Sequence, residues 1–232
     1  MATFVLVHGA WLGGWVWKHV TPHLAHAGHL FYTPTLTGLG ERIHLATPAV
    51  NLDTHIHDIV QVLEFEDLHE VILVGHSYGG IVITGVADLV RNRLAQLVYL
   101  DAFVPTDGQS LHDLVPPEAR TYNLALASRE GDGWRLPLEP QWRVGPPDLL
   151  PWLQPRWTDH PFQCFDQPLR LRQPAGAGLP RTYIRCTANA ATGALFRQFA
   201  DDPTWRVCEL AAEHTAMVTA PRALADLLMS LV

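Results

Sequence analysis

Lysine is almost missing from this chain: Lys18 stands alone in 232 residues, and the fifteen arginines are scattered without a run. With a formal net charge of −7 there is neither a basic stripe for a phosphate backbone nor a polybasic patch for an anionic bilayer, so no nucleic acid and no membrane is expected as partner. Cysteine is scarce as well. Cys164, Cys186 and Cys208 are odd in number, far apart and set among apolar residues, which argues against a disulfide framework or a zinc centre and for buried free thiols. No apolar run approaches the roughly 20 residues of a membrane-spanning helix. Strand-like sequence begins at Thr3, leaving no room for the charged and apolar regions of a secretory leader, so a cytoplasmic protein is expected. Histidine, by contrast, occurs thirteen times. His19, His23, His26 and His29 have helical spacing but no interleaved Cys or carboxylate, and they read as a solvated helix face rather than a metal patch.

What is present is enough apolar material, 48% against 17% charged, for one large core and too little chain for two ordinary catalytic domains. Short apolar runs alternate with helical periods. Thr3 to Val7, Leu30 to Thr35, Val71 to Val74, Leu97 to Leu100, Arg181 to Cys186 and Trp205 to Leu210 read as strands. Helices are expected over Trp15 to Ala27, from a cap at Asn51 or Asp53 to about Glu66, after Gly79 to about Val90, near Ala194 to Ala200, and from Pro221 to Leu231. Strands that are apolar throughout, alternating with helices, imply an α/β fold: a mostly parallel, doubly wound sheet covered on both faces. The pattern breaks between Pro105 and Pro180, which hold thirteen of the eighteen prolines and four of the eight tryptophans. Disordered linkers are poor in aromatics, so residues 105–180 are expected to form an inserted cap of short helices on a core made of 1–104 and 181–232.

The chemistry centres on Gly75-His76-Ser77-Tyr78-Gly79. This G-x-S-x-G follows a β-branched run and opens a helical one, the strand, sharp turn and helix of a nucleophile elbow. A serine hydroxyl is a weak nucleophile at neutral pH and needs a base within hydrogen-bond reach. His214, in the loop after the last strand, meets the requirement of a base at the same sheet edge. His76 points into the fold, and His8 reads as an organiser of its loop. An oxyanion hole would combine the N–H of Tyr78 with one from the loop after the first strand, for which Ala10 is the best placed.

Val5-Leu6-Val7-His8-Gly9-Ala10-Trp11, the Gly13-Gly14-Trp15-x-Trp17 that follows, Gly75 to Gly80, and Leu100-Asp101-Ala102-Phe103-Val104-Pro105 together resemble the α/β-hydrolases, in the branch of plant methylesterases, hydroxynitrile lyases and bacterial pyrethroid-type carboxylesterases. The resemblance implies the α/β-hydrolase fold, the Ser77 and His214 pair, and no metal or organic cofactor. It departs from the family in two places. Hydroxynitrile lyases of this branch use a threonine in the first loop and a lysine after the catalytic histidine, where this chain has Gly9 and Thr215. The family's third triad member, an aspartate just beyond the penultimate strand, is due where Asn189 stands. Asn189 itself, Asp101 at the end of the preceding strand, and Asp107 or Glu213 are the candidates for orienting His214. The expected activity is that of a serine carboxylesterase on small or medium hydrophobic esters. The alternative is a biosynthetic lyase or cyclase using His214 as acid/base, which the altered acid position favours. The sequence leaves a homodimer open.

Overall fold

A computed structural model of the chain describes residues 1–140, 145–176, 178–188 and 198–232. Its strands run, in chain order, β1 (Thr3–Val7), β2 (Leu30–Tyr32), β3 (Val71–His76), β4 (Leu94–Leu100), β5 (Arg135–Leu136), β6 (His160–Pro161), β7 (Arg181–Cys186) and β8 (Trp205–Leu210). Six of them form one parallel sheet in the order β2-β1-β3-β4-β7-β8. All six residues of β3 are buried, as a strand covered on both faces requires.

Because side chains alternate along a strand, β1 divides between two cores. Val5 and Val7 join the cluster under α2 (Leu52–Phe65) and α3 (Gly79–Val90), while Phe4 and Leu6 face the cluster containing Leu24, Met217, Leu224 and Leu228. Those last residues lie on α1 (Thr21–His26), α7 (Ala216–Thr219) and α8 (Pro221–Met229). The start of α2 is closed by Asn51: its Oδ1 accepts the Thr54 N–H at 3.0 Å, while Thr54 Oγ1 accepts the Asn51 N–H at 3.4 Å. This is a capping box with threonine in the place usual for Glu or Gln.

Several expectations need adjustment. The helix expected from Trp15 to Ala27 is a 3₁₀ turn, Gly14–His19, followed by α1, since Pro22 cannot supply the N–H that a continuous helix needs. β2 stops at Tyr32, short of Thr35, as an edge strand with Pro34 just beyond it. The segment between β4 and β7 holds α4 (Glu118–Glu130), α5 (Leu150–Leu153), α6 (Gln163–Asp166) and the antiparallel pair β5-β6. The pair was not expected, and neither was a helix of 13 residues; α4 buries only Leu126 and Ala127, too narrow a contact to leave an apolar period in the sequence. Of the helix expected near 194–200, residues 198–200 are helical and the rest lie outside the described residues. Among the described residues no helix is long and apolar enough to cross a membrane.

The turn from β3 into α3 has no spare room. A Cβ on Gly75 would lie 2.5 Å from the Gly79 carbonyl oxygen, one on Gly80 would lie 2.3 Å from that of Phe103, and neither obstacle is a flexible side chain. Gly75→Ala is therefore expected to cost about 1–3 kcal/mol of stability, as forced overpacking does. The denaturant midpoint should fall with an unchanged m-value; an unchanged midpoint would show that the elbow can relax.

Candidate active site

After β1 the chain moves to one side to form β2, then crosses back to form β3 on the other side of β1. The loops leaving β1 and β3 therefore diverge, and the crevice between them at the C-terminal sheet edge is where doubly wound folds hold ligands. Ser77 stands there with φ of +53°, a left-handed conformation that a non-glycine residue keeps only when its surroundings enforce it. Its N–H donates to the Leu100 carbonyl at 3.2 Å, and its own carbonyl accepts the N–H groups of Gly80 at 3.0 Å and Phe103 at 3.2 Å. The first loop presses directly on this turn, for a Cβ on Gly9 would come within 2.9 Å of the Ser77 Cβ. Among the described residues the backbone N–H groups of Ala10 and Tyr78 have no hydrogen-bond acceptor.

His214 reaches the same edge from the loop after β8. Its Nδ1 lies 2.7 Å from Oδ2 of Asp101, whose side chain is fully buried while that of His214 is 38% exposed. Asp101 follows directly on β4 with φ of +46°, another left-handed non-glycine residue. Its backbone N–H donates to the Ile184 carbonyl at 2.7 Å, and its Oδ1 accepts the Cys186 N–H at 3.3 Å. The carboxylate is thus held in place by the neighbouring strand β7. His76 braces the histidine loop: its Nε2–H donates to the His214 carbonyl at 2.9 Å, with the two rings 4.6 Å apart. Burial, reinforced by the adjacent His214, holds the His76 imidazole well below the ordinary histidine pKa, so it stays neutral.

A family model described as "Alpha/beta hydrolase family" matches residues 4–227. The chain belongs to the alpha/beta hydrolase family. The carbendazim hydrolyzing esterase of Nocardioides sp. (strain SG-4G) is 40% identical to it over 243 aligned positions that cover 100% of both chains. An alpha-hydroxynitrile lyase of Arabidopsis thaliana is 36% identical over 103 residues, 44% of this chain and 40% of that one. Among solved structures, an extracellular alpha/beta-hydrolase from a Paenibacillus species, described as sharing structural and functional homology with Tobacco Salicylic Acid Binding Protein 2, superposes with a TM-score of 0.89 at 27% identity, covering 99% of this chain and 98% of that one.

In this family member Ser77, Tyr78, Ala10, His214 and Asp101 all lie at one sheet edge. Asn189, the other candidate for orienting the histidine, lies outside the described residues. Asp107 is engaged elsewhere, accepting the Leu171 N–H at 2.8 Å, and Glu213 is exposed. His8 organises the first loop, donating from Nδ1 to the Gly9 carbonyl at 2.8 Å and accepting the Leu36 N–H on Nε2 at 3.1 Å. Reading the sequence did not anticipate the brace from His76 to His214, which joins residues 138 apart. Nor did it anticipate that the Tyr78 hydroxyl meets His55 Nδ1 at 2.9 Å, although His55 next to Ile56 on the apolar face of α2 was a readable signal.

These buried imidazoles make the fold acid-sensitive. Burial lowers His8 to about 3 and His76 well below 6.5, while in the unfolded chain both return to about 6.5. Below pH 6.5 the unfolded chain therefore binds more protons than the native one. The stability contributed by the neutral rings is complete above about pH 6.5 and is lost as the pH falls, by about 1.4 kcal/mol per unit for each histidine. Urea midpoints recorded between about pH 7.5 and 5 should decline accordingly; a level profile would show that these rings titrate without unfolding the core.

Proposed function

We propose that the chain is a serine esterase that cleaves small to medium hydrophobic carboxylic esters through an acyl-enzyme. The observation that carries this reading is the 2.7 Å contact between His214 Nδ1 and the buried Asp101 carboxylate, at the sheet edge where the elbow holds Ser77. Asp101 accepts the Nδ1–H and so leaves Nε2 bare. Nε2 removes the Ser77 hydroxyl proton as Oγ attacks the ester carbonyl, and the amides of Ala10 and Tyr78 take the developing oxyanion. His214 then passes the proton to the leaving alcohol. A water molecule, deprotonated by the same nitrogen, releases the acid and restores Ser77. The His76 bond to the His214 carbonyl keeps the base from swinging away between the two half-reactions.

The segment from 105 to 180 would act as the cap that selects substrate, because its Leu136 carbonyl accepts Trp11 Nε1–H at 2.8 Å and Phe165 packs on the Trp11 ring at 5.5 Å. Aromatic surfaces of this kind suit an apolar acyl or alcohol group. The Nocardioides relative named for carbendazim hydrolysis adds that compound to the candidates. The lyase or cyclase alternative loses its main support, since Asp101 supplies the carboxylate that position 189 lacks. Thr215 also stands where cyanohydrin chemistry of the family uses a lysine.

A panel of p-nitrophenyl esters of increasing acyl length, extended by carbendazim, tests the proposal with Ser77→Ala as control. Saturable turnover that peaks at a short or medium chain is expected. No turnover of any member by a folded sample would overturn hydrolysis and favour lyase chemistry.

A further inference from the structure

Behind the elbow, on the far side of Tyr78 from its backbone, three side chains with metal-binding atoms meet in the interior. His55 comes from α2, His160 from β6 and Cys164 from α6. His55 and His160 are completely buried and Cys164 is 1% exposed, and one potential ligand atom from each lies within 4.8 Å of the others. The Cys164 Sγ is 3.9 Å from His55 Nε2. The surroundings satisfy His55, whose Nδ1 meets the Tyr78 hydroxyl and whose Nε2 meets the Thr37 carbonyl, each at 2.9 Å, but they leave His160 short of a partner. His160 accepts the Trp11 N–H on Nδ1 at 3.4 Å, but its Nε2 is buried with no hydrogen-bond partner. Aromatic rings hem it in, with Tyr78 at 4.9 Å and Phe165 at 4.7 Å between centroids. An orphaned ring nitrogen in an apolar interior is rare and calls for a partner. Cys164 faces the same space with only long contacts, its Sγ lying 3.8 Å from the Val50 carbonyl oxygen and 3.9 Å from His55 Nε2.

We propose that His55, His160 and Cys164 form a zinc site that fastens the inserted segment to the core. Two imidazole nitrogens and one thiolate are a donor set suited to borderline soft divalent ions and unsuited to magnesium or calcium, which need oxygen. On binding, Cys164 gives its proton to solvent, and the metal forms one bond to the thiolate and one to each neutral imidazole. His55 ligates through Nε2, the nitrogen facing the thiol. The proton it now shares with the Thr37 carbonyl at 2.9 Å then sits on Nδ1, where the Tyr78 hydroxyl accepts it. A fourth position stays open for that carbonyl or for water. Two ligands belong to the segment between β4 and β7 and the third to the core, so occupancy joins parts of the chain 109 residues apart.

Cobalt(II) added to the chelator-treated wild-type chain is the probe. The expected result is one equivalent bound, with a thiolate-to-cobalt charge-transfer band and the strong visible bands of tetrahedral cobalt, both displaced by zinc. Zinc should also raise the melting temperature. Its affinity should fall about tenfold for each unit by which the pH is lowered, since one proton is released on binding. Cys164→Ser should remove the charge-transfer band, His160→Ala should weaken binding at least tenfold, and Cys208→Ser should leave both unchanged. Absence of a thiolate band in folded wild-type protein, its survival in Cys164→Ser, or a zinc-independent melting temperature would overturn the site. The wild-type readings decide the matter even if a variant fails to fold.

Discussion

Ser77→Ala is expected to lower kcat for a good ester by about 10⁶-fold, the size of loss seen when a serine hydrolase forfeits its nucleophile and keeps only its oxyanion donors and substrate contacts. Stability should change little. Alanine and serine have nearly the same difficulty at φ of +53°, and the bonds that impose this conformation, to Leu100, Gly80 and Phe103, are all made by the backbone. The variant thus separates chemistry from folding. A fluorophosphonate probe gives a second reading: one adduct per wild-type chain by intact mass, none on Ser77→Ala, and nearly none on His214→Ala, which retains the hydroxyl without its base. A folded wild-type sample that resists labelling, or a Ser77→Ala variant that still turns over, would remove the acyl-enzyme from consideration.

How much of this was legible in the sequence depended on the span of chain over which each feature is built. The elbow is local. A β-branched strand, three glycines and a helical run within a dozen residues state both its shape and the exposure of Ser77, and the backbone oxygens that a Cβ on Gly75, Gly79 or Gly80 would strike supply the steric reason for those glycines. His214 could be placed because strand order alone puts the loop after β8 at the same edge as the elbow. The partner of His214 could not be chosen. Asp101 lies 113 residues away, and sequence spacing alone pointed more strongly at Asn189. Only the register of β4 against β7, which aligns Leu100 with Ile184, carries Asp101 to Cys186 and turns its carboxylate toward the histidine. The buried group of His55, His160 and Cys164 escaped for a related reason. Its His-x-x-x-Cys portion is short enough to notice, but it lies in a proline-rich stretch without a period, and its third member sits on a core helix where an imidazole reads as packing.

Asp101→Asn is the substitution that discriminates most sharply, with an expected loss of about 10⁴ in kcat and a modest change in KM. The amide is nearly isosteric, so the fold should survive, but it cannot reproduce what the carboxylate does. Asp101 accepts from two donors at once, His214 Nδ1 at 2.7 Å and the Cys186 N–H at 3.3 Å. An asparagine has one acceptor atom and one donor group there. If its oxygen serves His214, its NH₂ faces the Cys186 N–H; if it turns over, it offers a donor to Nδ1 and favours the tautomer whose proton sits on Nε2, where the base must be bare. In both orientations the imidazolium formed as Ser77 attacks loses a fully buried negative charge. Asn189→Asp, measured beside it on the same ester, is expected to leave turnover unchanged or lower, because His214 already has its carboxylate in Asp101, and a second one brought to the same imidazole would repel the first and tend to protonate. The opposite pattern, with Asp101→Asn harmless and Asn189→Asp accelerating, would move the orienting role to position 189. It would reduce the contact of Asp101 with His214 to a structural brace.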